Sequence, residues 1–126
     1  MRATGTARAS RPGTVEVTAR REGEARFGEI VVDFDGMEIR RSGRVVHATY
    51  LEFRLLRLFV DNPRRVFSRE DLMRSVWPRG RRHTVRTVDT SIWRLRQKLE
   101  KHPSHPTYLQ TVRHVGYKFV PSQPRE

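Results

Sequence analysis

Val88, Ile92, Leu95 and Leu99 stand at i, i+4, i+7 and i+11 within Arg86-Thr87-Val88-Asp89-Thr90-Ser91-Ile92-Trp93-Arg94-Leu95-Arg96-Gln97-Lys98-Leu99-Glu100. That spacing places four apolar side chains on one stripe of a helix. At ~100° per residue the opposite side carries Thr87, Thr90, Arg94, Gln97 and Lys101. One face can dock on a core while the other offers hydroxyls, an amide and cations. The major groove of B-DNA admits a helix, and its edges and phosphates present acceptors and anions. The stretch therefore reads as a DNA-recognition helix from about Arg86 to about Lys101.

The charge distribution agrees. The 126-residue chain carries 26 Lys and Arg against 14 Asp and Glu, a net charge of +12. A charge of this size suits DNA, RNA, anionic membranes or acidic proteins. Its placement is narrower: between Arg79 and Lys101 eight cations face two anions. An excess gathered on one helix and the loop before it is the footprint expected of phosphate contact. Cysteine is absent, which excludes disulfides, thiolate metal sites and a thiol nucleophile. No apolar run approaches the ~18 residues of a membrane span, and no apolar segment marks a secretory signal. A cytoplasmic protein without membrane contact is expected.

Residues 1–26, poor in large apolar side chains, read as a flexible basic tail or linker. From Phe27 the pattern changes to that of a folded domain, extending to 121, with a frayed end at 122–126. Phe27–Phe34, Met37–Arg40 and Arg44–His47 read as strands joined by turns at Asp35-Gly36 and Ser42-Gly43. Thr49 and Glu52 form a capping box ahead of a helix rich in Leu and Phe, which Asn62-Pro63 ends. Ser68, with Asp71 at the third helical position, caps a short second helix whose core face is Leu72, Met73, Val76 and Trp77. Pro78–Thr84 is a basic loop. After the third helix, Tyr108–Val112 and Tyr117–Val120 read as a β-hairpin joined by Arg113–Gly116. The expected fold is α+β, a winged helix-turn-helix with an N-terminal antiparallel sheet, three helices and a C-terminal hairpin wing.

Six segments in this order resemble one family: Thr49–Leu56, Asn62–Leu72, Val76-Trp77, Arg86–Asp89, Arg94–Glu100 and Thr111–Phe119. They are similar to the OmpR/PhoB-type effector domain of bacterial response regulators, in register over about residues 27 to 120. The resemblance implies a four-stranded N-terminal sheet and sequence-specific binding of double-stranded promoter DNA. It also implies two protomers on direct repeats and a place in two-component signal transduction. By position, Arg86 and Thr87 match the phosphate-contacting start of the family's recognition helix. Thr90, Ser91, Arg94 and Arg96 match its base- and backbone-contacting turns, and Thr111 and Arg113 match the wing contacts. The loop Pro78–Thr84, with Arg79, Arg81 and Arg82, matches the segment that meets RNA polymerase in relatives. Trp93 stands where relatives commonly have Arg, Ser91 where many have His, and His114 where Gly is frequent. No phospho-acceptor receiver domain precedes the effector half, so the chain reads as a fragment or a stand-alone regulator.

Within this frame Arg94 is the expected base-reader, and Arg86, Lys98 and the wing the expected phosphate contacts. Arg96 reads as a phosphate clamp. Trp93 is expected to be partial core, with contact to a thymine methyl or deoxyribose as the alternative. Asp89 reads as structural, paired with an Arg or capping the first turn. His102 and His105 read as loop residues, with no metal or cofactor expected. Catalysis finds no nucleophile–base set or phosphate-cradling loop. The rival readings are an RNA binder, for which the aromatics Phe27 and Phe34 look too core-like, and a protein-interaction module with an acidic partner.

Overall fold

The computed structural model describes residues 23–78 and 83–121. Its first sheet is an antiparallel meander of β1 (Glu24–Phe27), β2 (Ile30–Asp33), β3 (Glu38–Arg41) and β4 (Arg44–Val46). The strands alternate strictly: Ala25, Phe27, Ile30, Val32 and Ile39 are buried, while their neighbours face outward. The sequence placed one long strand over Phe27–Phe34, but two strands meet there across a Gly28-Glu29 turn. Gly28 has φ +58°, and a Cβ on it would lie 1.7 Å from the Tyr108 hydroxyl. The first strand thus begins at Glu24, inside the segment read as tail, because Ala25 and Phe27 fill the underside of the sheet. Met37 is likewise a left-handed turn residue rather than the start of β3, and Asp33 Oδ1 accepts from the Gly36 amide at 3.0 Å. Ser42 and Gly43, at φ +52° and +82°, make the turn between β3 and β4 that suits right-twisted strands.

Three helices follow: α1 (Tyr50–Asp61), α2 (Arg69–Val76) and α3 (Val85–Leu99). Both expected capping boxes form, Thr49 with Glu52 and Ser68 with Asp71. Helix α1 buries Phe53, Leu55, Leu56, Phe59 and Val60 and so runs through the middle of the core. Helix α2 adds Leu72 and Val76, and Trp77 is buried just beyond its end. Helix α3 starts one residue before Arg86 and stops at Leu99, with Glu100 as its C-cap.

The wing is wider than a hairpin. Strands β6 (Leu109–Val112) and β7 (Gly116–Phe119) are joined by β5 (Val66–Ser68), in the order β5-β7-β6. A three-residue strand before a helix cap carries too little pattern to be read locally. Its partner lies some fifty residues on, with Phe67 opposite Tyr117. Gly116 makes this approach possible, since a Cβ there would sit 1.9 Å from the Phe67 carbonyl oxygen. The two sheets meet through Phe27, edge-on to Phe119 (4.9 Å) and Tyr108 (5.0 Å).

Candidate nucleic-acid interface

The seam of α3 is seated as its spacing predicts: Val88, Ile92 and Leu95 are wholly buried and Leu99 nearly so. The helix is therefore fixed in rotation, and what lies opposite the seam must face solvent. Arg86, Thr90, Arg94 and Gln97 are exposed there, while Thr87 and Ser91 are half-buried at the margin. The Thr90 hydroxyl donates back to the Arg86 carbonyl at 3.1 Å, which fixes its rotamer and directs its methyl group away from that bond. Trp93, expected as partial core, is 59% exposed on this same side.

Two cations assigned to nucleic-acid contact are held within the protein instead. Lys98 is half-buried, and its Nζ donates to Glu52 Oε1. Glu52 is itself buried and also accepts from the Thr49 amide at 2.9 Å, so its carboxylate ties the start of α1 to the end of α3. A free phosphate contact is thus not the role this geometry gives Lys98. Arg96 is tied to the wing. Its Nε donates to the Leu109 carbonyl (2.9 Å), its Nη2 to Thr111 Oγ1 (2.9 Å), and its guanidinium lies 5.5 Å from the Tyr117 ring. Burial pulls its pKa below the ordinary arginine value, against the opposite pull of Tyr117 and Glu100. As an arginine it still keeps its charge. Its main service is to set the wing's position against α3, which also leaves Thr111 engaged.

Asp89 is structural, as read. Its Oδ1 accepts from Arg69 Nε and from the Tyr117 hydroxyl, each at 2.7 Å. Burial and this bond to Asp89 raise the Tyr117 pKa, so the phenol stays protonated and donating at neutral pH. One carboxylate thereby joins α2, α3 and β7. The bond to Asp89 correspondingly raises the Arg69 pKa.

The far end of α3 is closed by residues the sequence did not single out. The buried Glu100 carboxylate accepts from the backbone amides of Thr107 (2.7 Å), Tyr108 (3.0 Å) and Leu109 (2.8 Å). Arg41 of β3 aims Nη1 at the Lys98 carbonyl (3.1 Å), with Gln97 and Glu100 carbonyls at 3.4 Å. A cation at a helix C-terminus complements its dipole. A charged residue abutting an apolar seam was the available signal for Glu100; Arg41 offered none.

The wing turn presents Arg113, His114 and Val115 to solvent. His114 sits at φ +68°, a left-handed conformation that strains a side chain and that glycine adopts freely. His114→Gly is expected to stabilise the fold by about 0.5–1 kcal/mol, read as a higher urea midpoint. A lower midpoint would show that the imidazole makes a compensating contact. Arg79, Arg81 and Arg82 of the basic loop lie outside the described residues. Among the described residues no cluster of His, Asp or Glu could hold a metal, and no helix is long and apolar enough to cross a membrane.

Residues 43–119 match the family described as the C-terminal domain of transcriptional regulatory proteins. The transcriptional regulatory protein AfsQ1 of Streptomyces coelicolor is 39% identical over 99 residues, covering 79% of this chain and 44% of that protein. The DNA-binding response regulator MtrA of Mycobacterium tuberculosis is 41% identical over 97 residues, 75% of this chain and 42% of MtrA. The chain thus spans less than half the length of these relatives. Among solved structures, the response regulator DrrB of Thermotoga maritima, an OmpR/PhoB homologue, superposes with a TM-score of 0.72 at 33% identity. That match covers 78% of this chain and 44% of DrrB. The RstA DNA-binding domain of Klebsiella pneumoniae, solved with the RstA box, gives 0.68 at 28% identity, covering 79% of this chain and 98% of that one. The family match over residues 43–119 and the superposition on an OmpR/PhoB homologue follow the seated α3, the wing and the four-stranded sheet described above, and the chain belongs to the family of OmpR/PhoB-type winged-helix C-terminal domains of transcriptional regulators.

Proposed function

We propose that this chain binds double-stranded DNA sequence-specifically to regulate transcription, as a non-catalytic cytoplasmic domain. Helix α3 enters the major groove, and the wing rests on the adjacent backbone or minor groove. The observation that carries this reading is the outward face of α3: Arg86, Thr90, Arg94 and Gln97 stand exposed on a helix whose opposite seam is fully buried. Arg94 and Thr90, with Ser91 at the margin, are positioned as base readers. Arg86, Thr87 and Arg113 are positioned for phosphates, and Arg96 holds Thr111 and the wing in register. The RstA domain, solved in complex with the RstA box, supports DNA as the partner. Two protomers occupy direct repeats about one helical turn apart, roughly 10–11 bp. The basic loop of Arg79, Arg81 and Arg82 meets RNA polymerase.

Selection from a random duplex pool gives the site, and titrations across salt give the slope. Each neutralised phosphate adds about −0.9 to the dependence of log K on log salt. Arg94→Ala is expected to cut the preference for the selected site over random duplex by roughly 10- to 100-fold. Unchanged preference in this variant, or better competition by single-stranded RNA than by duplex, refutes the docking mode.

A further inference from the structure

We infer that Trp93 is a specificity-determining residue that packs its indole on the 5-methyl group of a thymine in the major groove. The inference rests on the reading that α3 meets DNA and adds a large apolar surface to the hydrogen-bonding groups of that face.

Trp93 is 59% exposed, whereas the other tryptophan, Trp77, is 5% exposed in the core. Among the described residues no ring or cation stacks on the Trp93 indole. A lone exposed apolar side chain is ordinary on a protein surface. This one is set apart by its position. It lies three residues after Thr90 and four before Gln97, with Arg86 two turns back, so it shares the solvent face of α3 with these polar groups. The seam of Val88, Ile92, Leu95 and Leu99 fixes the helix rotation, so the indole cannot turn inward without unseating the core.

The chemistry then selects the target. An indole has no charge to place on a phosphate and a single N–H to donate. Its large resource is an apolar ring, which gains by leaving water. Along the major-groove edges of the bases, the apolar feature is the thymine methyl group. A cation set on a phosphate here would contribute affinity without sequence information, whereas the indole contributes sequence information without adding to the salt dependence.

The test uses the full chain and the duplex it selects from a random pool, resynthesised with deoxyuridine at each thymine in turn. That exchange deletes the methyl group and keeps the Watson–Crick edge. The wild-type chain is expected to lose about fourfold in affinity at one or two positions, the worth of roughly one buried methyl group. Trp93→Ala is expected to bind dT and dU equally at those positions while keeping the wild-type salt slope. Trp93→Phe is expected to retain part of the discrimination. Far-UV circular dichroism and melting confirm that both variants fold, as the exposure of Trp93 leads one to expect. Indifference of the wild-type chain to deoxyuridine everywhere, as for an indole resting on deoxyribose, overturns the inference. So does a uracil penalty that persists in Trp93→Ala, because another residue would then read the methyl. In both cases duplex selection itself stands. A wild-type chain that prefers no duplex sequence at any salt removes the DNA-binding reading and this inference together.

Discussion

Glu100→Ala is expected to cost about 3–4 kcal/mol of folding stability, the largest loss foreseen here for a single polar side chain. The carboxylate is 1% exposed and is the acceptor for three consecutive backbone amides, those of Thr107, Tyr108 and Leu109. Removing it strands donors where water has little access, and each buried unsatisfied donor costs about 1–3 kcal/mol. The melting temperature of a domain this size should fall by roughly 15–25 °C. Glu100→Gln is expected to do about half the damage, since the amide oxygen still accepts but without charge assistance. The segment 101–108 is what carries the chain from α3 into β6, so DNA affinity should fall as well, through the wing's position. Urea or thermal unfolding followed by circular dichroism reads the effect. A loss under about 1 kcal/mol would mean that the loop finds other acceptors.

Lys98→Ala should behave as a core substitution rather than as the loss of a phosphate contact. Its ammonium is bonded to Glu52, a carboxylate 4% exposed. Deleting the half-buried ammonium leaves the buried Glu52 charge without its partner, and about 2 kcal/mol of stability should go with it, less than for a fully buried pair. The salt slope of DNA binding is expected to stay within error of wild type, because no phosphate contact is removed. Lys98→Ala with Glu52→Gln should recover part of the loss, since the stranded charge is then gone. A variant that keeps its melting temperature but loses about one unit of slope would return Lys98 to the DNA face.

Much of the site could be read from spacing, because one helix supplies most of it. The Val88–Leu99 seam and the Thr90, Arg94 and Gln97 part of the opposite face follow from helical periodicity once a core exists, whereas Thr87 turned out half-buried and Lys101 lies beyond the end of α3. The two capping boxes were equally legible, since their partners lie three residues apart. Trp93 was not: an aromatic on a helix flank is compatible with core or solvent, and only the seated orientation of α3 decides. Strand β5 was missed because three residues hold too little alternation, and its pairing to β7 depends on the bare backbone of Gly116. The strand break at Gly28-Glu29 left a mark that went unread, since Phe27 and Ile30, three residues apart, cannot share a face of one strand, yet both are buried.

The sequence by itself determined the order of elements, the face of α3 that seeks the core, and the concentration of positive charge on and before that helix, all of which are local properties of periodicity and composition. Tertiary structure decided which cations remain available. Lys98 and Arg96 look like Arg94 along the chain, but folding brings a buried carboxylate 46 residues away to the first and the wing's carbonyl and hydroxyl to the second. A charge half out of water must take the acceptors that folding places beside it, and no pattern within one helix reveals where those acceptors will be.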